Sequence, residues 1–280
     1  MAEAEAKAQG TVGETTAAGL VRYSVADGIA LLTLNDPPAN TYTYEMMQEL
    51  DRSILAARMD EDVQVIVITG GGEKFFSAGA NIRTLSEMTP TFKYFFCLHA
   101  NETLSRLEQT PKLVIAALNG HTVGGGLEVA MAADLRLARK GAGKMGLPEI
   151  SLGVLPGTGG TQRLVRIVGK SRAIELMTTG ELFDFERGRE LGLINHIYEA
   201  ETGEQFMEQV MDYARRFTLP QKAARAVGRI KRSVQSGAEI PFEYALALER
   251  ELQQQLFQSE DAREGLDAYV EKRKPQFKGR

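Results

Sequence analysis

Two glutamates of this 280-residue sequence stand beside glycine-rich turns, where carboxyl groups could act on a bound substrate. Glu128 follows the glycines at 124–126, and Glu149 precedes those at 157, 159 and 160. Glycine allows a close approach of the backbone, and the first turn of a helix exposes N–H groups that favour an anion. Two carboxyl groups in one half-buried site can hold a water molecule and divide the roles of acid and base. Each turn alone also fits a structural loop with a surface glutamate, whereas the pair is a more specific pattern.

A third candidate segment, EKFFSAGANIRTL at residues 73–85, combines small side chains with two cations. The residues at 77–80 are Ser, Ala, Gly and Ala, which let a ligand approach the backbone. Lys74 and Arg83 flank this turn and could bind phosphate groups. The alternative is an exposed loop with two solvated cations.

The elements that must position these residues follow from a hydrophobic pattern that alternates between strands and helices. Two short strands are predicted at 21–25 and 29–34, around the turn signal Asp27-Gly28. The alternation continues to about residue 168 and indicates an α/β fold. Further strands are predicted at 63–69, 113–118 and 134–138, and helices at 43–59, 92–109, 125–133 and 160–168.

The last part of the chain changes to an almost purely helical pattern. Breaks between the helical segments fall at Pro220, Gly237 and Pro241. Such an appendage could pack on the core or on another subunit. Helices are predicted at 204–217, 221–235, 242–257 and 260–273.

The composition excludes several classes of protein. With 33 basic and 37 acidic residues, the formal net charge is −4, which argues against a protein built to grip nucleic acid. A single cysteine, Cys97, rules out an internal disulfide framework and fits a reducing compartment, so we expect a cytoplasmic protein. No apolar run reaches the ~20 residues that a membrane span needs. Residues 1–19 lack the apolar stretch of a secretory signal and are predicted to be a disordered leader.

Taken together, the motifs resemble those of the crotonase family, the enoyl-CoA hydratases and isomerases. The matching strings are FSAGANI (76–82), NGHTVGGGLEVAMAADLRLA (119–138), GLPEISLGVLPGTGGTQRLVRIVGKSRAIELMTTG (146–180) and EGLDAYVEKRKPQF (264–277). The resemblance covers roughly residues 20–280 in family order. It implies an α/β fold, a crotonase-like spiral of ββα units with a C-terminal helical oligomerisation region. The expected domains are an acyl-CoA-binding catalytic core at 20–200 and a helical trimerisation region at 201–280.

The resemblance also implies a role for individual residues. Glu128 and Glu149 match the two catalytic glutamates of the hydratases, and the backbone N–H groups of Ala80 and Gly125 match the oxyanion hole. Gly157 is expected to support the site. No metal and no cofactor are expected, because coenzyme A is part of the substrate. The residues expected to bind the substrate and its CoA portion are Lys74, Ala78, Ala80, Asn81, Ile82, Arg83, Gly125 and Lys272.

The expected reaction is the reversible addition of water to a 2-enoyl-CoA thioester, giving 3-hydroxyacyl-CoA. The alternatives are a Δ3,Δ2-enoyl-CoA isomerase or a specialised enzyme for branched or cyclic acyl-CoA. A non-catalytic protein that binds RNA through the basic segment 222–232 is a more distant alternative. The expected partners are the acyl-CoA substrate and further copies of the chain in a homotrimer or homohexamer, with no nucleic acid and no membrane.

Three departures from the family pattern bear on these expectations. Asn81 stands where many members have Asp, which leaves recognition by the backbone intact. The segment between the two glutamates is one residue longer than in many hydratases, so Glu149 could sit differently. The string PPANTYTYEMM at 37–47 replaces a start of the first helix that is usually rich in Asn and Leu, which leaves the acyl preference open.

Overall fold

The computed structural model describes residues 19–280, so the predicted leader, apart from Gly19, lies outside the described residues. Within residues 19–280, ten strands form two sheets. In chain order they are β1 (Val21–Ala26), β2 (Ile29–Leu34), β3 (Val65–Gly70), β4 (Phe75–Ser77), β5 (Leu113–Leu118), β6 (His121–Val123), β7 (Leu135–Arg139), β8 (Lys144–Gly146), β9 (Phe183–Asp184) and β10 (His196–Tyr198).

The larger sheet has six strands in the order β1-β2-β3-β5-β7-β10. The β1–β2 hairpin is antiparallel, and the other neighbours are parallel. All six residues of β3, VIVITG, are buried, because helices cover both faces of the sheet. Alternate side chains of β3 therefore enter different clusters. Ile66 and Ile68 join the larger core, whereas Val65 and Val67 pack with Phe206 and its neighbours on the other face.

The smaller sheet has four strands in the order β4-β6-β8-β9. Each of β3, β5 and β7 in the larger sheet is followed directly by a short strand of the smaller sheet and then by helix. This repeated ββα order is the predicted spiral. Between the two glutamates, residues 140–143 form the connection from β7 to β8.

Eleven α-helices complete the described part of the chain. No helix among them is both long and apolar enough to span a bilayer. They are α1 (Tyr44–Met59), α2 (Ile82–Glu87), α3 (Pro90–Gln109), α4 (Gly125–Met131), α5 (Gly160–Val168), α6 (Lys170–Thr179), α7 (Phe185–Glu190), α8 (Gly203–Arg215), α9 (Ala224–Gly237), α10 (Phe242–Phe257) and α11 (Glu260–Val270).

The sequence pattern does not predict several short strands and helices, and it predicts some helix ends at the wrong residue. Strands β4, β6, β8 and β9 have only two or three residues, too few to show a period. Helices α2, α6 and α7 are also absent from the predicted set. Helix α9 starts at Ala224 rather than 221, and α11 ends at Val270 rather than 273, two residues before Lys272 with its positive φ of 56°.

A buried ion pair ties the C-terminal helices to the core. Lys231 of α9 lies 2.8 Å from Asp134, and its ammonium also donates to the carbonyl of Lys112 at 3.0 Å. The carboxylate of Asp134 accepts a further bond from the amide of Val114. Lys231 is therefore not exposed to solvent, which removes one cation of the segment 222–232 from the RNA-binding alternative.

Candidate active site

The loop before α1 holds the small-residue turn that follows β4. The side chain of Asn40 donates to the carbonyls of Gly71 and Phe75 at 2.9 and 3.0 Å. The hydroxyl of Ser77 donates to the carbonyl of Asn40 at 2.8 Å and accepts from the amide of Gly79 at 3.0 Å. These contacts fix the backbone that leads into Ala80.

The turn at Gly79 lies against the start of α4. Gly79 has φ +84°, and a methyl group placed on it would lie 2.7 Å from the amide nitrogen of Gly125. Only glycine permits both this conformation and this approach. Among the described residues, the amides of Ala80 and Gly125 donate to no acceptor outside their own element, and Gly125 is the first residue of its helix, where amides lack an intrahelical acceptor. The structure thus brings the turns of both predicted oxyanion residues together.

The side chain of Glu128 projects from α4 toward the chain that enters α5, and polar groups of that chain bind its carboxylate. Its side chain is only 2% exposed. One carboxylate oxygen accepts from the amides of Thr158 and Gly160 at 2.8 and 2.7 Å. The other oxygen accepts from the hydroxyl of Thr158. A carboxylate buried with several donors is held in one orientation, which suits a group that must meet a substrate at a defined angle.

Glu149 begins the short 3₁₀ helix at Glu149–Leu152 and occupies a different environment. Its Oε2 atom is buried and has no hydrogen-bond partner among the described residues. Burial, and then the negative charge of Glu128, raises the pKa of Glu149 to about 7, and the charge of Lys93 opposes this change. A carboxyl group that exchanges its proton near neutral pH is suited to act as an acid or a base.

Both glutamates lie near the start of α4, where the charge of Glu128 acts on Glu149. A methyl group placed on Gly124, which has φ +57°, would lie 3.1 Å from Oε1 of Glu149, and Glu128 follows in the next turn. Their environments differ, because one carboxyl group has several donors and the other has a buried oxygen that no described residue contacts as a donor. Such a difference separates the protonation of two neighbouring carboxyl groups.

The predicted CoA-binding residues differ in their exposure and in their contacts. Lys74, Ile82 and Arg83 are exposed, as a binding surface for phosphate and pantetheine requires. The side chain of Asn81 accepts from the amides of Arg83 and Thr84 at 3.1 and 3.2 Å and caps α2, so its side chain is already engaged. Lys272 is exposed beyond α11, and no hydrogen bond between described residues joins it to the turns of the site.

Two further predicted residues line the walls of the site. The amide of Ala78 donates to the carbonyl of Ala39 at 2.9 Å, so this amide serves the turn. The carbonyl of Gly157 accepts from Asn101 at 3.4 Å. A methyl group on Gly157 would lie 3.1 Å from the sulfur of Cys97, so this glycine allows α3 to approach the chain that binds the first glutamate.

Sequence reasoning did not single out Tyr42 and Thr158. The hydroxyl of Tyr42 lies 3.2 Å from the hydroxyl of Thr158, which contacts Glu128. Lys93 was missed as well, although its charge acts on Glu149. The only sequence feature that could have drawn attention to Tyr42 is the unusual string at 37–47, which contains it. A tyrosine at this position belongs to no periodic pattern or motif of its own.

The fold that carries this site matches that of a solved structure. The crystal structure of an enoyl-CoA hydratase from Geobacillus kaustophilus HTA426 superimposes with a TM-score of 0.91 at 44% identity, covering 95% of this chain and 99% of that one. The fold is therefore the crotonase fold that the sequence resemblance implied, while the oligomeric role of its C-terminal helices stays a prediction.

The family follows from the sequence matches. The family model described as enoyl-CoA hydratase/isomerase matches residues 24–280. A probable enoyl-CoA hydratase of Bacillus subtilis is 36% identical over 92% of this chain and 98% of its own length. A short-chain-enoyl-CoA hydratase of Clostridium acetobutylicum is 36% identical over 90% of this chain and 95% of its own. The chain belongs to the enoyl-CoA hydratase/isomerase family, and the predicted enzyme class, enoyl-CoA hydratase, is confirmed.

Proposed function

We propose that this enzyme adds water reversibly to a 2-enoyl-CoA thioester and forms the 3-hydroxyacyl-CoA. The hydroxyl of one water molecule joins C3 and a proton joins C2, so the reaction neither consumes nor releases a proton overall. The observation that carries the proposal is the position of Glu128 and Glu149 near the start of α4, beside two peptide amides that have no acceptor among the described residues. The hydratase names of the relatives agree with it.

The amides of Ala80 and Gly125 would bind the thioester oxygen, on which negative charge grows as water attacks C3. The contact between their two turns supports this role, because Gly79, next to Ala80, lies against the amide of Gly125. In well-measured enzymes the loss of one such donor costs ~2.7–4 kcal/mol of transition-state stabilisation. The oxyanion hole would therefore contribute strongly to the rate.

The two glutamates would divide the proton transfers. Glu128, held by several donors, would bind the attacking water and take its proton. Glu149, with a pKa of about 7, would be protonated in the reacting enzyme and deliver its proton to C2. Dehydration reverses both transfers. This chemistry needs no metal and no cofactor, since coenzyme A enters as part of the substrate.

The CoA portion would lie along the turn after β4. We assign Lys74 and Arg83 to the phosphates, because both are exposed cations beside the turn. The backbone at Ala78 and residues 80–82 would contact the adenine and pantetheine, and Lys272 would add a further cation. Asn81 would contribute through its backbone, since its side chain caps α2.

The test is hydration of a short 2-enoyl-CoA, followed by the loss of enoyl thioester absorbance. Glu128→Gln and Glu149→Gln should each lower kcat by about 10²-fold or more, since acid–base groups contribute ~10²–10⁴-fold. Glu208→Gln in α8 is the matched control, because this exposed glutamate lies outside the site. Rates near the wild-type value in either folded site variant would reject the assignment.

The Δ3,Δ2-enoyl-CoA isomerase reaction is tested separately. Double-bond migration moves one proton between two carbons and adds no water, so a single carboxyl group suffices. Incubation of a 3-enoyl-CoA distinguishes the two activities, because its double bond is not conjugated with the thioester and must migrate to C2 before water can add at C3. Accumulation of the 2-enoyl-CoA, with no 3-hydroxyacyl-CoA, would favour the isomerase.

We also propose that the chain forms a homotrimer, which pairs into a hexamer, through the C-terminal helices, and that it acts in the cytoplasm. The exposed large apolar side chains of the C-terminal helices support the first point, because contiguous exposed apolar patches mark interaction surfaces. The single cysteine supports the second. Light scattering after gel filtration measures the assembly. The exposed apolar side chains are Ile230, Val234, Phe242, Tyr244, Phe257, Leu266, Tyr269 and Val270.

A further inference from the structure

We propose that Tyr42 and Thr158 are positioning residues that orient the carboxylate of Glu128 through a directed chain of hydrogen bonds. The inference rests on the proposed function, in which Glu128 is the ionised base that receives a proton from water. It extends the site to a residue from the loop before α1, far from Glu128 in the sequence.

The direction of the chain follows from counting protons. An ionised carboxylate only accepts, and a hydroxyl group carries a single proton. Thr158 donates its hydroxyl proton to Oε2 of Glu128. The bond of 3.2 Å between the hydroxyls of Tyr42 and Thr158 must then have Tyr42 as its donor. The chain therefore runs from Tyr42 through Thr158 to Glu128, and each proton points toward the negative charge.

Burial keeps the tyrosine in the state that the chain requires. Tyr42 is 5% exposed. Burial, followed by the negative charge of Glu128, raises the pKa of Tyr42 well above its usual value. The phenol therefore stays neutral and retains the proton that it donates.

Tyr42 also contacts both halves of the proposed oxyanion hole. Its backbone forms a bridge with Ala80, with its amide donating to the carbonyl of Gly79 at 3.0 Å. A methyl group placed on Gly125 would lie 2.1 Å from the hydroxyl oxygen of Tyr42. One rigid side chain thus packs against the helix start that carries Gly125 and is linked through Thr158 to the carboxylate three residues further on.

The chain matters for the orientation of one carboxylate oxygen. Two backbone amides hold Oε1 of Glu128, whereas the hydroxyl of Thr158 is the only donor to Oε2 among the described residues. If this hydroxyl is lost or turned, the carboxylate plane can rotate, and misplacing a catalytic group by ~1 Å can cost ~10²-fold in rate. Glu128 is not among the residues assigned to the CoA portion, so kcat should change more than KM.

The experiment is a double-mutant cycle on hydration of a short 2-enoyl-CoA. Tyr42→Phe should lower kcat by ~2–10-fold, the value of one neutral hydrogen bond, and leave KM within about twofold. Thr158→Val should lower kcat by ~10–100-fold, since its bond is to a charged group. The double variant should be no slower than Thr158→Val, because Tyr42 acts only through Thr158. Thr158→Ser retains the hydroxyl and should recover most of kcat.

Matched controls separate this role from general packing. Tyr198→Phe also removes a tyrosine hydroxyl group, but in β10, at the edge of the larger sheet opposite the β1–β2 hairpin. This variant should leave kcat unchanged. Thermal unfolding verifies each fold, and Thr158→Ala replaces Thr158→Val in the cycle if the valine variant does not fold. Two results would overturn the inference if Glu128→Gln still lowers kcat as proposed. One is an unchanged kcat in Tyr42→Phe. The other is a double variant whose fold-loss in kcat equals the product of the two single losses. A fully active Glu128→Gln would overturn the proposed function itself.

Discussion

The activity of this enzyme should decline as the pH rises through about 7, because Glu149 must hold a proton to deliver it to C2. Burial, and then the charge of Glu128, raises the pKa of its carboxyl group from the ordinary 4.5 to about 7. Since hydration involves no net proton, the pair of glutamates carries one proton in both directions of the reaction. The same decline is therefore expected for hydration and for dehydration.

The magnitude follows from the titration of one group. With a pKa of about 7, the protonated fraction of Glu149 is about 0.9 at pH 6 and about 0.1 at pH 8. We therefore expect kcat/KM, which reports the free enzyme, to fall about tenfold between these pH values. The assay is the initial rate at low concentration of a short 2-enoyl-CoA, measured in both directions in buffers of constant ionic strength.

Lys93 provides a way to move the midpoint without changing either glutamate. Its positive charge lowers the pKa of Glu149, so Lys93→Met should shift the decline of kcat/KM to higher pH. Lys93→Arg retains the charge and should leave the midpoint near that of the wild type. A rate that is constant from pH 6 to 8, a rate that rises with pH, or equal midpoints in the two variants would refute the reasoning.

The same proton should affect stability. A carboxyl group whose pKa is higher in the folded state binds its proton more tightly there, so its contribution to the free energy of unfolding is lost as the pH rises from 4.5 to about 7. Denaturant unfolding of the wild type and of Glu149→Gln at pH 5 and pH 8 measures this contribution. The wild type should lose stability relative to the variant at the higher pH, and the opposite sign would contradict the burial of Glu149.

Three further changes test the architecture around the site. Gly79→Ala should lower kcat by ~10²-fold or more, because its methyl group would lie 2.7 Å from the amide nitrogen of Gly125 and displace one proposed oxyanion donor; steady-state kinetics at saturating substrate measure it. Lys231→Met should cost ~3–5 kcal/mol in urea unfolding, because it leaves Asp134 buried without its cation. Leu104→Ala, in the fully buried face of α3, should cost ~2–5 kcal/mol through the cavity it leaves, and a loss below ~1 kcal/mol would contradict the close packing of this face.

The sequence by itself predicted the elements with a strong pattern. The strand at 63–69 and the helix at 43–59 lie within one or two residues of β3 and α1, because apolar runs and helical spacing are local properties. The glycine turns beside Glu128 and Glu149 were also readable, since a tight turn requires residues of that type. The spiral of ββα units came instead from the family resemblance, because the strands of its smaller sheet are too short to have a pattern.

Only the tertiary structure decided how the carboxyl groups differ. No local pattern distinguishes a glutamate with three protein donors from one whose buried oxygen has no partner in the described part of the chain, because the donors to Glu128 come from residues 158 and 160. The contact of Tyr42 with Thr158 spans 116 residues and arises only when the loop before α1 folds over the start of α4. Hydrogen bonds and burial of this kind depend on the packing of segments that are distant in the sequence. The sequence therefore predicted which chemical groups the site contains, whereas their protonation and orientation depend on the tertiary structure.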